Sequence, residues 1–406
     1  MAVHLDVVIA GGGPGGSVAA LALARGGARV TLLERLDHPA PSGGGILVHP
    51  NGLAVLYALG LGEALRSRAH VSSAGSIRDE RGRTILEVPV PNFGAGLDHV
   101  LAVRRSHLTG VLADAVAATP GIEVITGAEV IDADSSGEVS YRVHGIEHRL
   151  VADVVVGADG VHSTVRKHGA FGACSKTRRS IYVRGTVDDA GGTAESAAEY
   201  WTPLGLFGVS PLGDGTSYFY ADATAADVTA AIVDLDLERF RSVWTDVLPA
   251  CRGVLDRIAG DGSLLVNAVR RVDCDTFVDG RLVLLGDAAH AMEPTLGQGA
   301  NSAFVDAAVL ADLLSEAADV DRALVAYDAR RRPATRSVQR AAAGAARLAA
   351  LHSSAAARVR NRFVRLVSGS KVVERRYRKL QQEDPAALFR AVDGLPSRPS
   401  MLQRLV

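Results

Sequence analysis

The segment Leu5-Asp-Val-Val-Ile-Ala-Gly-Gly-Gly-Pro-Gly-Gly-Ser17 decides the fold. Val7-Val-Ile-Ala10 is an apolar run whose length suits a buried parallel strand rather than a helix. It leads into Gly11-x-Gly13-x-x-Gly16, and then into Val18-Ala-Ala-Leu-Ala-Leu-Ala24, which reads as a helix. Gly11 permits a tight turn, Gly13 lets backbone approach a pyrophosphate, and Gly16 lets the helix lie close on the strand. Gly11, Gly13, Pro14, Gly15 and Gly16 therefore form a pyrophosphate candidate at a helix N-terminus, where unpaired N–H groups and the dipole favour anions.

A glycine turn with no ligand is the competing reading of this motif by itself. The context decides between them. Ala28-Arg-Val-Thr-Leu-Leu-Glu34 is a second apolar strand that ends in a carboxylate eighteen residues beyond Gly16. Glu34, with Arg35 beside it, stands where a ribose acceptor belongs in a dinucleotide-binding strand–helix–strand unit. A carboxylate repels a 2′-phosphate, so FAD and NAD both suit this position and NADP does not.

The bulk properties narrow the class. A chain of 406 residues with 48% hydrophobic and 22% charged residues is globular and long enough for two intertwined domains. Its formal net charge of −1 gives no electrostatic case for nucleic acid or an anionic membrane surface. Cys174, Cys251 and Cys274 are scattered, so a disulfide framework is not expected and a cytoplasmic setting fits. The N-terminus has no basic run ahead of its first strand, so it does not read as a signal peptide. No apolar run reaches membrane-spanning length, and no metal-ligand cluster stands out. The Ala-rich stretch 341–358 reads as a packed helix.

Read in order, the chain moves from the nucleotide unit into a loop, Pro39-Ala-Pro-Ser-Gly-Gly-Gly45, then Ile46 to Asn51 and a helix from Gly52. From Val71 short alternating strands take over, with a hairpin turn at Glu80-Arg-Gly82. Arg104 to Val116 reads as a helix, and Ile122 to Gly127 and Ala152 to Gly157 as strands of the parallel sheet. Between Ser175 and Val272 lie alternating strands and helices near 224–258, which gather Trp201, Phe207, Tyr218 and Tyr220. The parallel pattern resumes at Leu282-Val-Leu-Leu-Gly286. Residues 321–380 read as helices, with Pro333 starting a new one; the tail after Pro385 carries no readable chemistry. The expected fold is α/β. A Rossmann-like nucleotide domain (1–70, 100–174, 275–335) is interrupted by a mostly antiparallel β-sheet substrate domain (71–99, 175–274), and C-terminal helices follow (336–406).

Two further clusters choose the dinucleotide. In Val156-Gly-Ala-Asp-Gly-Val-His-Ser-Thr-Val-Arg166 a strand ends, Gly157 and Gly160 turn sharply, and Asp159 can accept or cap. In Leu285-Gly-Asp-Ala-Ala-His-Ala-Met-Glu-Pro-Thr-Leu-Gly-Gln-Gly-Ala-Asn301, Asp287 ends a strand where it can accept from a polyol. Pro294 to Asn301 lead into a helix whose free N–H groups stabilise negative charge on a ring lying against Gly297 and Gly299.

With these three clusters in this order, the sequence resembles the class A FAD-dependent monooxygenases, the p-hydroxybenzoate hydroxylase-like aromatic hydroxylases. The resemblance spans roughly residues 5 to 333. It implies that Gly11 to Gly16 bind the FAD pyrophosphate, that Gly157, Asp159 and Gly160 serve FAD and NAD(P)H, and that Gly286 and Asp287 meet the ribityl chain. Pro294, Gly297, Gly299, Ala300 and Asn301 would lie beneath the flavin ring, with Gly45 in the glycine loop beside it. Arg105 resembles the arginine that reaches the pyrophosphate, with Arg104 as the competing assignment, and Val130 matches the position where backbone meets adenine. Tyr327 and Arg331 resemble a structural signature behind the flavin domain. No second Gly-x-Gly-x-x-Gly is present for a separate nicotinamide domain.

The implied activity uses NADH or NADPH as transient donor and O2 as co-substrate. A flavin C4a-hydroperoxide would then hydroxylate an aromatic or polyketide-like small molecule. The protein would be a monomer or homodimer with no membrane or nucleic-acid partner. No catalytic residue is fixed by the sequence; His49, Arg184, Tyr218 and Tyr220 are the candidates, and strand alternation puts about half of the sheet aromatics in the core. Two rivals stand beside this reading. One is a same-fold FAD oxidoreductase that inserts no oxygen, and the other is a non-catalytic FAD-binding module.

Overall fold

In the computed structural model, residues 5–38, 44–188, 197–260, 264–351 and 354–395 are described. Strand β1 (Asp6–Ala10), helix α1 (Pro14–Arg25) and strand β2 (Arg29–Leu33) form as the opening motif dictates. β1 lies parallel between β2 and Val154–Gly157, with Ile9 opposite Leu32 on one side and Val156 on the other. The six-stranded sheet continues with Leu282–Leu284 and Val278–Asp279 beyond Val154–Gly157, and with Ile122–Ile125 beyond β2. Its central strands are buried on both faces, which is why they read as unbroken apolar runs. The helix Gly299–Ser315 packs along α1, and both present mainly Ala, Val and Leu, so the two come close.

A seven-stranded sheet draws its strands from Leu265–Asp273, Cys174–Asp188, Thr216–Asp222, Gly205–Pro211, Ala198–Thr202, Ala74–Asp79 and Thr84–Pro89, in that spatial order. Every neighbouring pair is antiparallel except Ala198–Thr202 with Ala74–Asp79. Its two faces have different companions. Val183, Val187, Phe207, Val209, Phe219 and Ala221 pack on Phe240 and Trp244 of the helix Leu237–Val247. Tyr182, Trp201 and Leu206 point the other way, and Tyr218 and Tyr220 do too. Phe207 is thus core behind the sheet, and Trp201 is buried in a separate cluster with Tyr182 and Val269. The strand Ala69–Ser72 does not join this sheet; it pairs with Val100–Arg104, which also pairs with Gly45–Val48.

Three local expectations change. Gly45 opens a strand instead of closing a loop, while residues 39–43 of that loop lie outside the described residues. Pro333 does not start a helix but lies inside one continuous helix, Val320–Ala349. An internal proline removes one backbone hydrogen bond and costs roughly 3 kcal/mol. Tertiary anchors on both sides offset that. Tyr327 and Arg331 are buried before it, and Gln339 after it donates to the carbonyls of Val272 and Ala291. The tail past Pro385 forms the helix Pro385–Asp393, capped by Asp384, and Leu388, Val392 and Leu395 enter the main core. Among the described residues no helix is long and apolar enough to cross a membrane.

Candidate functional site

Close packing explains the first turn. Gly11 has φ +102°, and a Cβ on it would lie 2.6 Å from the Ala158 carbonyl oxygen. A Cβ on Gly16 would lie 1.9 Å from the Gly11 oxygen, so that position excludes any side chain. Gly13 differs: no atom lies within 4 Å of where its Cβ would stand, so the turn is open there to a ligand. Pro14 begins α1, and no side chain caps that helix start. Glu34 Oε2 accepts from the Gly12 N–H at 2.7 Å and Oε1 from the Leu36 N–H at 2.9 Å, which holds the carboxylate at the mouth of the turn. Arg35 is exposed beside it, and Val130 sits half-buried on the strand Ala128–Ala133.

The second and third clusters close on the first. Asp159 Oδ2 caps the helix Thr164–His168 through the N–H groups of Thr164 and Val165, at 2.7 and 3.2 Å. Its Oδ1 is buried without a partner among the described residues. Arg166 donates to the carbonyls of Val161 and Ala288 at 2.7 Å each, tying the second cluster to the turn after Gly286. Ala303 joins the other two turns: a Cβ on Gly15 or on Gly286 would come within 3.1 and 3.0 Å of its own Cβ. Gly286 has φ +59°, and Asp287 follows it exposed, free to face a ligand.

Beneath the third turn lies a buried ionic knot. Asp306 accepts from His290 Nε2 at 2.6 Å, from Arg331 Nε at 2.7 Å and from the Gly286 N–H at 3.0 Å. Burial alone would raise the pKa of Asp306, but His290, Arg331 and these hydrogen bonds prevail and hold it down at about 2. Tyr327 donates to the Leu284 carbonyl at 3.0 Å, so Tyr327 and Arg331 fix the strand end that carries Gly286 and Asp287.

The loop Pro294–Leu296 and Gly297 (φ +63°) lead to the helix Gly299–Ser315. A Cβ on Gly299 would meet nothing within 4 Å, so its surroundings are open as at Gly13. Ala300 is half-buried in the first turn. The Asn301 side chain is fully engaged by protein: it donates to the carbonyls of Leu47 and Gly297 and accepts from the His49 N–H. Its side chain is therefore a latch between this loop and the strand Gly45–Val48, leaving only its backbone to a ligand. Gly45 in turn lies against Tyr218, whose ring atoms would be 2.6–2.8 Å from a Cβ there.

The arginines separate. Arg104 is held by Asp214 at 2.9 Å, whereas Arg105 begins the helix Arg105–Ala118, is exposed, and has no ion-pair partner among the described residues. The geometry favours Arg105 as the cation available to a phosphate.

On the sheet face beyond Gly45, Arg184 donates to Asn267 Oδ1 at 2.6 Å and hydrogen-bonds Tyr218; its Nε is buried without a partner among the described residues. Burial raises the pKa of Tyr218 and of Tyr220, so both hydroxyls stay protonated. Tyr220 donates to Glu199 Oε2 at 2.8 Å and Trp201 to Glu199 Oε1 at 2.6 Å; burial raises this carboxyl as well. His49 stands at the N-cap position of the helix Pro50–Ala58, half-buried, with no cap hydrogen bond from its side chain. Burial lowers its pKa to about 4, which makes it a poor base at neutral pH. His49 Nδ1 meets the Tyr377 hydroxyl at 3.1 Å, and Asn51 binds Gln381. Glu199, Tyr377 and Gln381 carry no motif, and sequence reading missed them.

Open backbone at Gly13 and Gly299, an unpartnered Asp159 oxygen and an exposed Asp287 around two helix starts fit an extended dinucleotide with a ring at one end. Such a fold and cleft define an FAD-type flavoprotein. The family described as FAD binding domain matches residues 4–227 and 261–342. The aurachin C monooxygenase/isomerase of Stigmatella aurantiaca is 32% identical over 394 residues, covering 94% of this chain and 99% of its own. The 3-hydroxybenzoate 6-hydroxylase 1 of Aquipseudomonas alcaligenes is 30% identical over 361 residues, covering 83% and 87%. Among solved structures, the tetrameric form of 2-methyl-3-hydroxypyridine-5-carboxylic acid oxygenase is similar with a TM-score of 0.75 and 28% identity, covering 90% of this chain and 98% of that one. The chain belongs to the FAD-binding domain family of class A flavoprotein monooxygenases, and is an FAD-dependent monooxygenase.

Glu34→Ala is expected to weaken FAD binding about tenfold while the protein stays folded, because a charge-assisted hydrogen bond contributes about 1.5 kcal/mol or more. Flavin fluorescence titration with circular dichroism checks it, and unchanged affinity would remove Glu34 from the site. The depressed Asp306 predicts an acid limb. Its stabilisation is complete above the ordinary carboxylate range and is lost as pH falls from about 4 toward about 2, amounting to about 2 kcal/mol. Denaturant unfolding across that range should show this loss in the wild type and not in Asp306→Asn.

Proposed function

We propose that this monooxygenase hydroxylates a small aromatic substrate held on the sheet face that carries Arg184, Tyr218 and Tyr220. FAD would be held by Gly11, Gly13, Pro14, Gly15, Gly16, Glu34, Arg105, Asp159, Gly286 and Asp287, and by the loop through Pro294, Gly297, Gly299 and Ala300. The discontinuous domain 1–70, 100–174 and 275–335 would carry the cofactor, and 71–99 with 175–274 the substrate. One observation carries this reading: Tyr218 lies against Gly45, and Asn301 latches that same strand to the glycine loop at Gly297. The polar face and the flavin loop thus adjoin.

FAD, when bound, would supply the redox chemistry, linking oxidation of NADH or NADPH to the use of O2. The chain's residues have other tasks. Tyr218 and Tyr220 remain protonated, and Arg184 is a half-buried cation with no acidic partner among the described residues. This face therefore offers the Arg184 charge and the Tyr218 hydroxyl, while the Tyr220 proton is committed to Glu199. A ring hydroxyl placed there ionises more readily, since its anion is favoured by the nearby cation and donors, and an ionised ring oxygen makes the ring carbon more nucleophilic. The relatives' names point the same way: 3-hydroxybenzoate and 2-methyl-3-hydroxypyridine-5-carboxylic acid each bear a ring hydroxyl and a carboxylic acid. The start of the helix Gly299–Ser315 has no side-chain cap, and its N–H groups would stabilise negative charge at the ring end of the cofactor.

Screening hydroxylated aromatic acids for faster NAD(P)H oxidation, followed by mass spectrometry of product made under ¹⁸O2, tests the reading. Product carrying one labelled oxygen is expected; turnover of such a compound without label would sink it in favour of oxidation without oxygen insertion. Arg184→Gln should raise KM for that substrate about tenfold to a hundredfold, the range given by losing one hydrogen bond to a charged group. It should also divert reducing equivalents to hydrogen peroxide, read by a peroxidase-coupled assay. An unchanged KM would take Arg184 out of substrate binding.

A further inference from the structure

The helix Ser354–Val367 buries polar groups and exposes apolar ones. Its inward face carries Arg360 and Asn361, 5% and 7% exposed, beside Ala357 and Val364, while Val359, Phe363 and Leu366 face outward at 71%, 66% and 77% exposure. The inward polar groups are matched. Arg360 donates to the carbonyls of Leu348 and Ala349 at the end of the long helix and to Asn361 Oδ1, and it lies 4.9 Å over the Trp201 ring. This orientation is therefore built in, and the outward apolar stripe at i, i+4 and i+7 spacing has no protein to cover it among the described residues.

The next helix, Lys371–Leu380, adds exposed Val372 and the cations Lys371, Arg375, Arg376 and Lys379. Both helices pack on the same strand, Thr84–Pro89, and only residues 368–370 separate them, so they are neighbours in space. Residues 354–380 hold nine Arg and Lys against one acid, Glu374, although the whole chain has a net charge of −1. Glu374 is paired with Arg378, and the neighbouring Asp79 with Arg83 and Arg365, so of the nearby acids only Glu80 and Glu87 remain to set against these cations. A net charge averaged over the chain hides this concentration.

We propose that this face docks the enzyme on an anionic phospholipid surface. Val359, Phe363 and Leu366 would enter the acyl boundary, and Arg362, Lys371, Arg375, Arg376 and Lys379 would meet the headgroups. Charge decides between this and a second copy of the chain. A two-fold interface pairs the same patch with itself and would set these cations against one another, whereas an anionic bilayer complements them.

Flotation of the FAD-loaded full-length protein with vesicles of phosphatidylcholine alone, or of phosphatidylcholine with phosphatidylglycerol as a minority lipid, tests this. Flotation with the anionic vesicles only, weakened by added salt, is the expected result. Arg375→Glu with Lys379→Glu should lower partitioning by at least about fivefold per cation removed. Phe363→Asp with Leu366→Asp should abolish it, with the flavin spectrum unchanged in both variants. Absence of partitioning, or equal partitioning onto neutral vesicles, overturns the proposal. So does light scattering that shows a dimer which the Phe363→Asp, Leu366→Asp variant dissociates.

Discussion

Asp306 is the point on which the cleft depends. One fully buried carboxylate binds a backbone N–H at the turn it supports, an imidazole four residues after that turn, and an arginine from a helix that begins only after residue 319. A charge taken out of water costs several kcal/mol unless it is paired and its lone pairs are satisfied. Here both oxygens are engaged, so the charge costs little and the geometry gains much. Gly286 keeps its left-handed turn, Asp287 stays at the surface of the cleft, and the strand end is pinned by Tyr327 from the same helix.

Around that anchor, pleat alternation sorts the second sheet into two materials. Alternate residues of the strand Cys174–Asp188 go to different destinations: Val183 and Val187 to the helices behind, Tyr182 and Arg184 to the side where Gly45 and Tyr218 meet. The aromatic residues on that side keep their protons because burial disfavours their anions. Arg184 and the Tyr218 hydroxyl on this face stabilise negative charge, while both oxygens of the nearby Glu199 are taken up by Tyr220 and Trp201.

Much of this was legible in the sequence because it rests on local rules. Three glycine turns at strand ends, two apolar runs buried on both faces, and a carboxylate at the end of β2 are patterns that short windows contain. The reading failed where contacts join distant positions without a motif. His49 meets Tyr377 across 328 residues, and Asn51 meets Gln381 across 330. Neither partner is distinguishable from a surface residue in the linear chain. Pro333 misled for the opposite reason: its local rule is sound, but Arg331 and Gln339 on either side hold the helix through it. Asn301 was placed correctly beside the glycine loop, yet its amide serves the strand Gly45–Val48, which only the packed structure reveals.

Gln381 bonds to Asn51, and Gln382 to Arg331 and Ser302, so two adjacent residues clamp three helices that are distant in the chain. A break or substitution there would leave every glycine turn intact and yet loosen the wall behind them.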